Sequence, residues 1–535
     1  MYPVKRLTYH SFMTKYFAYI SEVIQEEESS SFEDAVKHDK WKNAMKDELE
    51  ALLENGAWTL LPKKQNMKPI GCKWVYKLKC NSDSSIARYK ARLVAKRYAQ
   101  KYGIDYEETF GPVARMTTVR TVLALAALKK WNLYQLDVKN AFLNGDLQET
   151  IYLEQPQGYV HPKNPNHVCK LKKALYGFKQ APRAWYEKLV RCLICAGFQE
   201  SKADPSLYIK HDGRKILIIC IYDVDDLIVT GDDFDGIEKV KYMLNLKFKI
   251  SDLGELKYFL GIEVIKTNDG VYLSQRKHML DILKKFGMLA SKPLLIPINV
   301  NIRVRPDSGK KIDNVQMYRN LVGSLLYATI RRPDISYTVG VFSQFMQEPT
   351  NVHLNACKRV LSYLKGTINH GLFYAYSADL KLEGYSNADW AGSPHDRRST
   401  SGFVFMIGGS TISWSSKKQS TVALSSTEAE YKALTHATCE AVWLKKLLVD
   451  LDVPQNEVLL LCDNVSSIYL AKNPVFHARS KNIEIQYHFV REKVMSKEID
   501  IQHVRTDLQI ADIFTKFLDS VKLKKFGSEM NLIEI

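Results

Sequence analysis

Three aspartates stand at the ends of apolar segments that have the pattern of buried strands. Asp137 lies in the segment from Leu136 to Phe142, and the adjacent pair Asp225 and Asp226 follows the apolar run from Ile216 to Tyr222. A carboxylate beside a buried strand is costly unless it is paired or bound to a cation. If the fold brings the three together, they need divalent metal to coexist, and two-metal sites perform in-line phosphoryl transfer.

A second group of acids lies in the last third of the chain. It comprises Asp389 at the end of a short strand, Glu430 on a helix, Asp463 after the apolar strand Val458 to Cys462, and Asp512 at the start of a helix from Ala511 to Leu518. The spacing of Ser425 and Glu428 predicts a capping box that opens the Glu430 helix, so Glu428 is interpreted as a cap. Individually each acid is more often a surface residue than a catalytic one.

The elements that position the first group can be read from periodicity. A polar run over residues 26–31 indicates a linker, and Phe32 to Leu53 has helical spacing, so the folded unit should start near Phe32. Alternation over residues 73–79 and 88–94 predicts a β-hairpin about a turn at 81–85, with Lys90 and Arg92 on one face.

The segment that follows should carry the first aspartate. Thr117 to Lys130 has the pattern of a helix, Leu133 to Val138 that of a strand bearing Asp137, and Phe142 falls in the tight turn after it.

The composition is that of a basic globular protein. Its 535 residues suffice for about two to four domains, and a hydrophobic content of 46% allows real cores. Lysine and arginine number 76 against 59 aspartates and glutamates, and the resulting net charge of +17 is expected when the partner is a phosphate backbone. The alternative is a basic surface with no such partner.

The cysteines and the hydropathy of the chain indicate the cellular compartment in which it is expected. Nine cysteines are scattered, and the only CxxC, Cys192 to Cys195, lies in a segment with helical periodicity and no second Cys/His pair nearby, so reduced thiols are expected instead of zinc or redox chemistry. An intracellular setting follows. Apolar runs such as residues 122–128 are too short for a membrane span, and residues 1–20 lack a signal-peptide core, so a soluble protein is predicted.

Long matches in a fixed order give the chain a family resemblance. The matching segments are Trp41 to Glu48, Lys73 to Lys79, Arg88 to Ala95, Thr109 to Val113, Leu136 to Gly145, Ala174 to Trp185, Tyr258 to Glu263, Leu321 to Tyr327, Arg332 to Ile335, Ala388 to Gly392 and Ser425 to Tyr431. Over residues 32–518 the chain resembles the reverse transcriptase and RNase H part of the polyprotein of copia-type LTR retrotransposons, especially the plant branch.

The resemblance implies an α/β (α+β) fold, with a right-hand polymerase of fingers, palm and thumb followed by an RNase H-like α/β domain. The boundaries it implies are an N-terminal tail or linker over 1–31, fingers and palm over 32–250, thumb and connection over 251–378, the RNase H-like domain over 379–520, and a C-terminal tail over 521–535.

The same resemblance implies roles for individual residues. The acids expected to be catalytic and to bind metal are Asp137, Asp225, Asp226, Asp389, Glu430, Asp463 and Asp512, with two Mg²⁺ ions per site and Mn²⁺ as an alternative. Nucleotide-binding residues are expected at Lys90, Arg92, Phe142, Tyr176 and Gly177, and primer-binding residues at Phe259, Leu260 and Gly261. The structural alternatives are a solvated edge strand for Lys90 and Arg92, and an ordinary core position for Phe142. His488 is expected to be structural.

The implied partners are an RNA template, a DNA primer, their RNA–DNA hybrid and deoxynucleoside triphosphates, with other Pol or Gag products as further candidates and the oligomeric state left open. The implied activity is RNA-directed DNA polymerisation with RNase H cleavage, and the implied location is cytoplasmic, in a virus-like particle, with the nucleus as an alternative.

Several departures from the family pattern bear on activity. The family has Tyr-x-Asp-Asp at the catalytic hairpin, whereas residues 222–226 here contain one residue too many, most simply Asp223. An insertion in a strand moves Tyr222 and Asp225 to opposite faces unless a β-bulge absorbs it. The other departures are Arg97 and Ser84 in place of glycines, Arg331 in place of threonine and Asn482 in place of histidine; Asn387 stands where relatives vary.

Three functions therefore stay open at the level of sequence. They are a polymerase with RNase H, a degenerate copy that retains only RNase H, and a non-catalytic remnant that binds nucleic acid. The absence of capsid, protease and integrase segments favours a fragment or a decayed genomic copy.

Overall fold

The structure is a computed structural model that describes residues 28–534 apart from residues 66, 81–85, 102, 104, 105, 107, 108, 110, 301, 303, 378 and 474–483. Its first elements are α1 (Phe32–Ala35), α2 (Asp39–Glu54), β1 (Trp58–Pro62), β2 (Cys72–Cys80) and β3 (Ile86–Ala95). The single helix predicted from Phe32 to Leu53 is divided in two, because His38 adopts an extended backbone (φ −114°, ψ 119°) before Asp39. The predicted hairpin of β2 and β3 is confirmed, with Trp74 opposite Leu93, and its turn lies outside the described residues.

A six-stranded antiparallel sheet forms the centre of the next segment. The elements here are α3 (Met116–Leu128), β4 (Asn132–Val138), α4 (Ala141–Asn144), β5 (Tyr152–Leu153), β6 (His167–Leu171), α5 (Ala181–Cys195), β7 (Gln199–Glu200), β8 (Leu207–Asp212), β9 (Lys215–Ile221), β10 (Asp226–Gly231), α6 (Phe234–Phe248) and β11 (Ile250–Glu255). The order of the sheet is β11-β4-β10-β9-β8-β7. The predicted helix over 117–130 and strand over 133–138 are confirmed as α3 and β4.

Both faces of this sheet are covered, which explains why β9 is a continuous apolar run. Ile218 and Cys220 pack in the cluster that includes α3, whereas Leu217, Ile219 and Ile221 pack in the cluster that includes α5 and α6. Side chains alternate between the faces of a strand, so only an unbroken apolar sequence can fill both layers.

The third segment joins short strands to a group of helices. Its elements are β12 (Tyr258–Phe259), β13 (Ile262–Lys266), β14 (Gly270–Ser274), α7 (Arg276–Lys285), α8 (Val315–Ala328), α9 (Ser336–Ser343), α10 (Asn351–Gly366) and β15 (His370–Ala375). The helices pack in a separate core that includes Tyr318, Leu325, Phe342 and Leu361.

The C-terminal segment forms a mixed sheet. Its elements are β16 (Leu382–Asp389), β17 (Thr400–Ile407), β18 (Ser410–Lys418), α11 (Ser426–Asp450), β19 (Val458–Cys462), α12 (Val465–Lys472), α13 (Glu484–Met495), β20 (Ile499–His503), α14 (Ser520–Glu529) and β21 (Leu532–Glu534). Its sheet has the order β18-β17-β16-β19-β20, with antiparallel pairing up to β16 and parallel pairing from β16 to β20. The predicted mixed α/β fold is thus confirmed.

Two local predictions for this segment are wrong. The residues from 521, predicted as a tail, contain most of α14 and the strand β21, which pairs with β15 in the sheet β12-β13-β14-β15-β21. Asp512 lies in a short 3₁₀ helix, Ile510–Phe514, and not at the start of a helix reaching Leu518.

Within the described part of the chain, no helix is both long and apolar enough to span a membrane.

Candidate active sites

The first three acids meet at one edge of the six-stranded sheet. Asp226, the first residue of β10, lies directly opposite Asp137 of β4 in the antiparallel ladder. The amide of Val138 donates a hydrogen bond to the carbonyl oxygen of Asp225 at 2.7 Å, which fixes Asp225 beside the same strand. Directly opposed residues share a face of the sheet, so Asp137 and Asp226 point to the same side.

The turn between β9 and β10 absorbs the extra residue. The ladder runs without a break from Leu227 opposite Ile221 to Gly231 opposite Leu217, so no bulge interrupts it. The amide of Tyr222 donates to the carbonyl oxygen of Asp226 at 3.3 Å, which leaves residues 223–225 as the turn. The insertion therefore lengthens the turn and leaves the register of the strands unchanged.

The side chain of Asp223 stays within this turn. Its Oδ1 accepts a hydrogen bond from the amide of Val224 at 2.8 Å, and the indole of Trp185 donates to the carbonyl oxygen of Val224 at 2.6 Å. These contacts hold a third carboxylate next to the pair that follows it.

The electrostatics of this edge show an excess of negative charge. Burial, followed by the charges of Asp137 and Asp225, raises the pKa of Asp226 to about 6. Burial also raises the pKa of Asp225, with Asp223 and Asp137 adding to it, while Lys90 and Arg92 offset part of the effect. Because the described side chains leave this charge incompletely balanced, the edge fits bound divalent cations.

The three carboxylates are nevertheless not drawn tightly together. Among the described residues, three potential metal ligands lie within 4.8 Å of one another only in the second group of acids, at Glu430, Cys462 and Asp463. Asp137, Asp225 and Asp226 share a sheet edge without meeting that distance.

Arg92 and its neighbours form a wall beside the first site. Arg92 makes an ion pair with Glu48 of α2, whose side chain is 4% exposed, and lies 5.1 Å from the centre of the Tyr176 ring. The Tyr176 hydroxyl donates to Oδ2 of Asp225 at 3.5 Å. Phe142, in α4, packs edge-on against Tyr176 at 4.6 Å. The structure thus connects Arg92, Tyr176 and Phe142 to the acids.

Glu48 is a residue that the sequence analysis did not single out as functional. Its carboxylate neutralises much of the charge of Arg92, so Arg92 is not a free cation at this wall. An acid on the buried face of an amphipathic helix was the available signal, since such an acid needs a partner.

Gly177 allows a close approach between two backbone segments. Its φ is +93°, and a Cβ at this position would lie 2.5 Å from the carbonyl oxygen of Ala95. The amide of Ala95 donates to the carbonyl oxygen of Tyr176 at 2.8 Å. The segment that carries Tyr176 is therefore attached to β3, and the close approach is to this strand.

The proposed primer loop is a two-residue turn between β12 and β13. Leu260 and Gly261 have positive φ values of 43° and 70°, and the Tyr327 hydroxyl donates to the carbonyl oxygen of Leu260 at 2.6 Å. Phe259 is 2% exposed and packs edge-on against Tyr222 at 5.4 Å. Phe259 therefore connects this loop to the β9–β10 hairpin through the core.

The second group of acids gathers around the parallel pair β16 and β19. Ser386 lies beside Cys462 in the ladder, so the next residues along the two strands are Asn387 and Asp463. Glu430, on the first turns of α11, is 7% exposed, and its Oε2 has no hydrogen-bond partner among the described residues. Burial, and next the charge of Asp463, raises the pKa of Glu430 well above its usual value.

Asp512 joins the group through two hydrogen-bonded neighbours. It is fully buried; Lys516 makes an ion pair with its Oδ2 at 2.9 Å, and the Asn387 amide donates to its Oδ1 at 2.7 Å. Burial raises the pKa of Asp512, and the charge of Lys516 offsets part of this increase. Lys516 and Asn387 are the partners that the sequence analysis missed, although Lys516 stands four residues after Asp512, a spacing typical of ion pairs.

Asp389 lies at the margin of this group. Burial raises the pKa of Asp389; Lys516 opposes the shift and Asp512 adds to it. A Cβ on Gly392 would collide with Oδ2 of Asp389, so the turn after β16 needs glycine at this point. Asp389 thus shares the charges of Asp512 and Lys516 but lies outside the trio of Glu430, Cys462 and Asp463.

The predicted cap of α11 is half correct. The Ser425 side chain accepts from the amide of Glu428 at 3.2 Å. The Glu428 carboxylate, however, accepts from the amide of Leu424 at 2.8 Å and pairs with Lys432. Glu428 therefore secures the start of the helix and points away from Glu430.

Comparison with known proteins finds relatives over most of the chain. A family model described as reverse transcriptase (RNA-dependent DNA polymerase) matches residues 55–300. The chain is 44% identical to the Pol polyprotein of transposon RE1 from Arabidopsis thaliana over 94% of its own length and 34% of that protein. It is 42% identical to the polyprotein of transposon RE2 from the same plant over 97% of its length and 36% of that protein.

The chain therefore spans about a third of the length of these curated relatives. Among solved structures, a foamy viral protease-reverse transcriptase in complex with dsDNA gives a TM-score of 0.44 at 14% identity, covering 88% of this chain and 84% of that one.

The family model and the two polyproteins show that the chain contains a reverse transcriptase domain. More narrowly, the chain belongs to the reverse transcriptase family found in the Pol polyproteins of copia-type retrotransposons.

Proposed function

We propose that the chain is an RNA-directed DNA polymerase whose C-terminal segment cleaves the RNA strand of an RNA–DNA hybrid. The observation that carries the first activity is the pairing of Asp226 with Asp137, with Asp225 attached to the same strand. Acidic side chains that are held near one another despite their mutual repulsion are typical of functional sites.

At the first site, Asp137, Asp225 and Asp226 would hold divalent ions, Mg²⁺ or Mn²⁺, which supply two-metal phosphoryl transfer. Tyr176 and Phe142 would form the floor on which the sugar of the incoming deoxynucleotide rests, because they pack on each other beside Asp225. Lys90 and Arg92 lower part of the raised pKa of Asp225. Lys90 would hold the triphosphate, with the guanidinium of Arg92, paired with Glu48, beside it.

At the second site, Glu430, Asp463, Asp512 and Asp389 would hold the ions. Lys516 pairs with Asp512 and offsets part of the effect of burial on its pKa, and Thr506 would orient Asp463 by donating to its Oδ2 at 3.1 Å. The substrates implied are an RNA template, a DNA primer, deoxynucleoside triphosphates and the resulting hybrid. A net charge of +17 supports binding to their phosphates.

Extension of a primed RNA template with Mg²⁺ tests the polymerase. Asp137→Asn should abolish synthesis, whereas the matched control Asp212→Asn, at the exposed hairpin end of β8, should not. Synthesis by Asp137→Asn at the wild-type rate would exclude the polymerase assignment.

A second candidate function is hybrid cleavage without DNA synthesis. It is favoured by Asp223, which lengthens the catalytic turn and adds negative charge beside Asp225. Hybrid cleavage that persists without primer extension, and that is lost in Asp463→Asn but kept in Asp500→Asn of β20, would support it. Cleavage by neither the wild type nor any variant would leave only nucleic-acid binding.

A further inference from the structure

One side chain in the second acidic group is a thiol. Cys462, the last residue of β19, is fully buried, and its Sγ lies within 4.8 Å of a carboxylate oxygen of Glu430 and of Asp463. Those two oxygens are also within 4.8 Å of each other. A sulfur ligand and two oxygen ligands therefore surround one small space.

An unpartnered oxygen of Glu430 shows that the group can accept a ligand. Glu430 is 7% exposed, and its Oε2 has no hydrogen-bond partner among the described residues. A buried carboxylate oxygen without a partner is costly, so such an atom indicates an absent ligand. The amide of Asn464 is 3.5 Å from the Cys462 sulfur and donates to it. Burial and the charge of Glu430 nevertheless raise the pKa of the Cys462 thiol, so the thiolate forms together with the bound metal.

The ligand types select the class of metal. Magnesium and calcium bind oxygen and make little use of sulfur. Zinc binds thiolate and carboxylate together, at about 2.3 Å and 2.0–2.2 Å, so the ligands of a tetrahedral ion lie roughly 3.5 Å apart. The separations around Cys462 come within reach of that value after small side-chain movements.

We propose that Glu430, Cys462 and Asp463 form a binding site for a thiophilic divalent cation, Zn²⁺ or its analogue Cd²⁺. The ion takes one thiolate and two carboxylate ligands, with water completing the tetrahedron. The proton of the thiol is released to solvent on binding. Since Glu430 and Asp463 are also the proposed Mg²⁺ ligands, a bound Zn²⁺ ion excludes Mg²⁺ from them.

The test is titration of the full chain with Cd²⁺, followed by the ultraviolet charge-transfer absorption of the cadmium–thiolate bond. The wild type should gain a band that Cys462→Ala lacks. The matched control Cys439→Ala, an exposed cysteine on α11, should keep that band. Glu430→Gln retains Cys462 and should weaken Cd²⁺ binding by about tenfold or more.

Either of two results would overturn the site. One is a band of full intensity in folded Cys462→Ala, and the other is unchanged Cd²⁺ affinity in Glu430→Gln. If Cys462→Ala fails to fold, Glu430→Gln decides the question alone. The titration needs neither nucleic acid nor catalysis, so its failure leaves the proposed function untouched.

Discussion

Asp226 lies directly opposite Asp137 across the ladder between β10 and β4, so two carboxylates face each other on one side of the sheet. Like charges opposed across strands are destabilising. The protein keeps this pair at a cost in folding stability, and that cost can be measured separately from catalysis.

Replacing Asp226 by asparagine should stabilise the metal-free protein. Burial and the neighbouring acids raise the pKa of Asp226 to about 6, against about 3.9 when unfolded. Between these values the native state binds more protons, so its stability falls as pH rises through this window. The gain in unfolding temperature for Asp226→Asn should be absent near pH 4 and complete above about pH 6.

Thermal unfolding without metal checks this, with Asp212→Asn as the control. Equal unfolding temperatures for Asp226→Asn and wild type at neutral pH would show that the pair is not repulsive. Added Mg²⁺ should stabilise the wild type more than the variant.

Deleting Asp223 should raise polymerase activity. The deletion shortens the turn from three residues to two while leaving the paired strands unchanged, because the ladder from Leu227 to Gly231 is already continuous. Primer extension should increase by about tenfold or more. Asp223→Asn keeps the length and removes only the charge, and it should not reproduce the increase. An equal increase in both variants would assign the defect to charge instead of turn length.

Asn387→Asp should raise hybrid cleavage. Asn387 follows Ser386, which lies opposite Cys462 in the parallel ladder, and it donates to Asp512 at 2.7 Å, so an aspartate here adds a carboxylate next to Asp512. Cleavage with Mg²⁺ should rise by about tenfold or more, and metal-free stability should fall. Asn387→Ala removes the hydrogen bond without adding charge, and it should lower stability without raising cleavage. Loss of cleavage in Asn387→Asp would contradict the assignment.

Arg331 and Arg332 should respond in opposite ways to substitution. Arg331 is 2% exposed and forms no ion pair among the described residues, and burial lowers its pKa to about 10. Arg332 donates to both carboxylate oxygens of buried Asp334, at 2.9 and 2.6 Å. Arg331→Thr should raise the free energy of unfolding by about 1 kcal/mol or more, and Arg332→Met should lower it by about 3–5 kcal/mol.

Denaturant unfolding of the two variants measures this difference. A destabilised Arg331→Thr would mean that the guanidinium makes a net favourable contribution to the core.

The sequence could predict the elements whose pattern is local. β9 is apolar at successive positions because both of its faces are covered. The strand β19 and the helix α3 are likewise predictable from the apolar residues within each segment. The break before Asp39 could not be predicted, because the apolar spacing continues across it and only the backbone at His38 departs.

The acidic residues of the candidate sites could be predicted from the sequence, but their contacts with distant residues could not. Asp463 and Glu430 carry their own signals at the end of a strand and in the first turns of a helix. The pairing of Arg92 with Glu48, and of Asn387 with Asp512, joins residues 44 and 125 positions apart, which no local pattern records. The position of the extra residue depends on the fold: the sequence suggested a β-bulge at Asp223, whereas the structure has an unbroken ladder and a longer turn.

The most direct test is to score primer extension and hybrid cleavage in the same preparation of Asp137→Asn. Two separate metal-dependent sites predict that extension is lost while cleavage continues at the rate of the wild type. Continued extension would contradict the central claim that Asp137, Asp225 and Asp226 form the site of DNA synthesis.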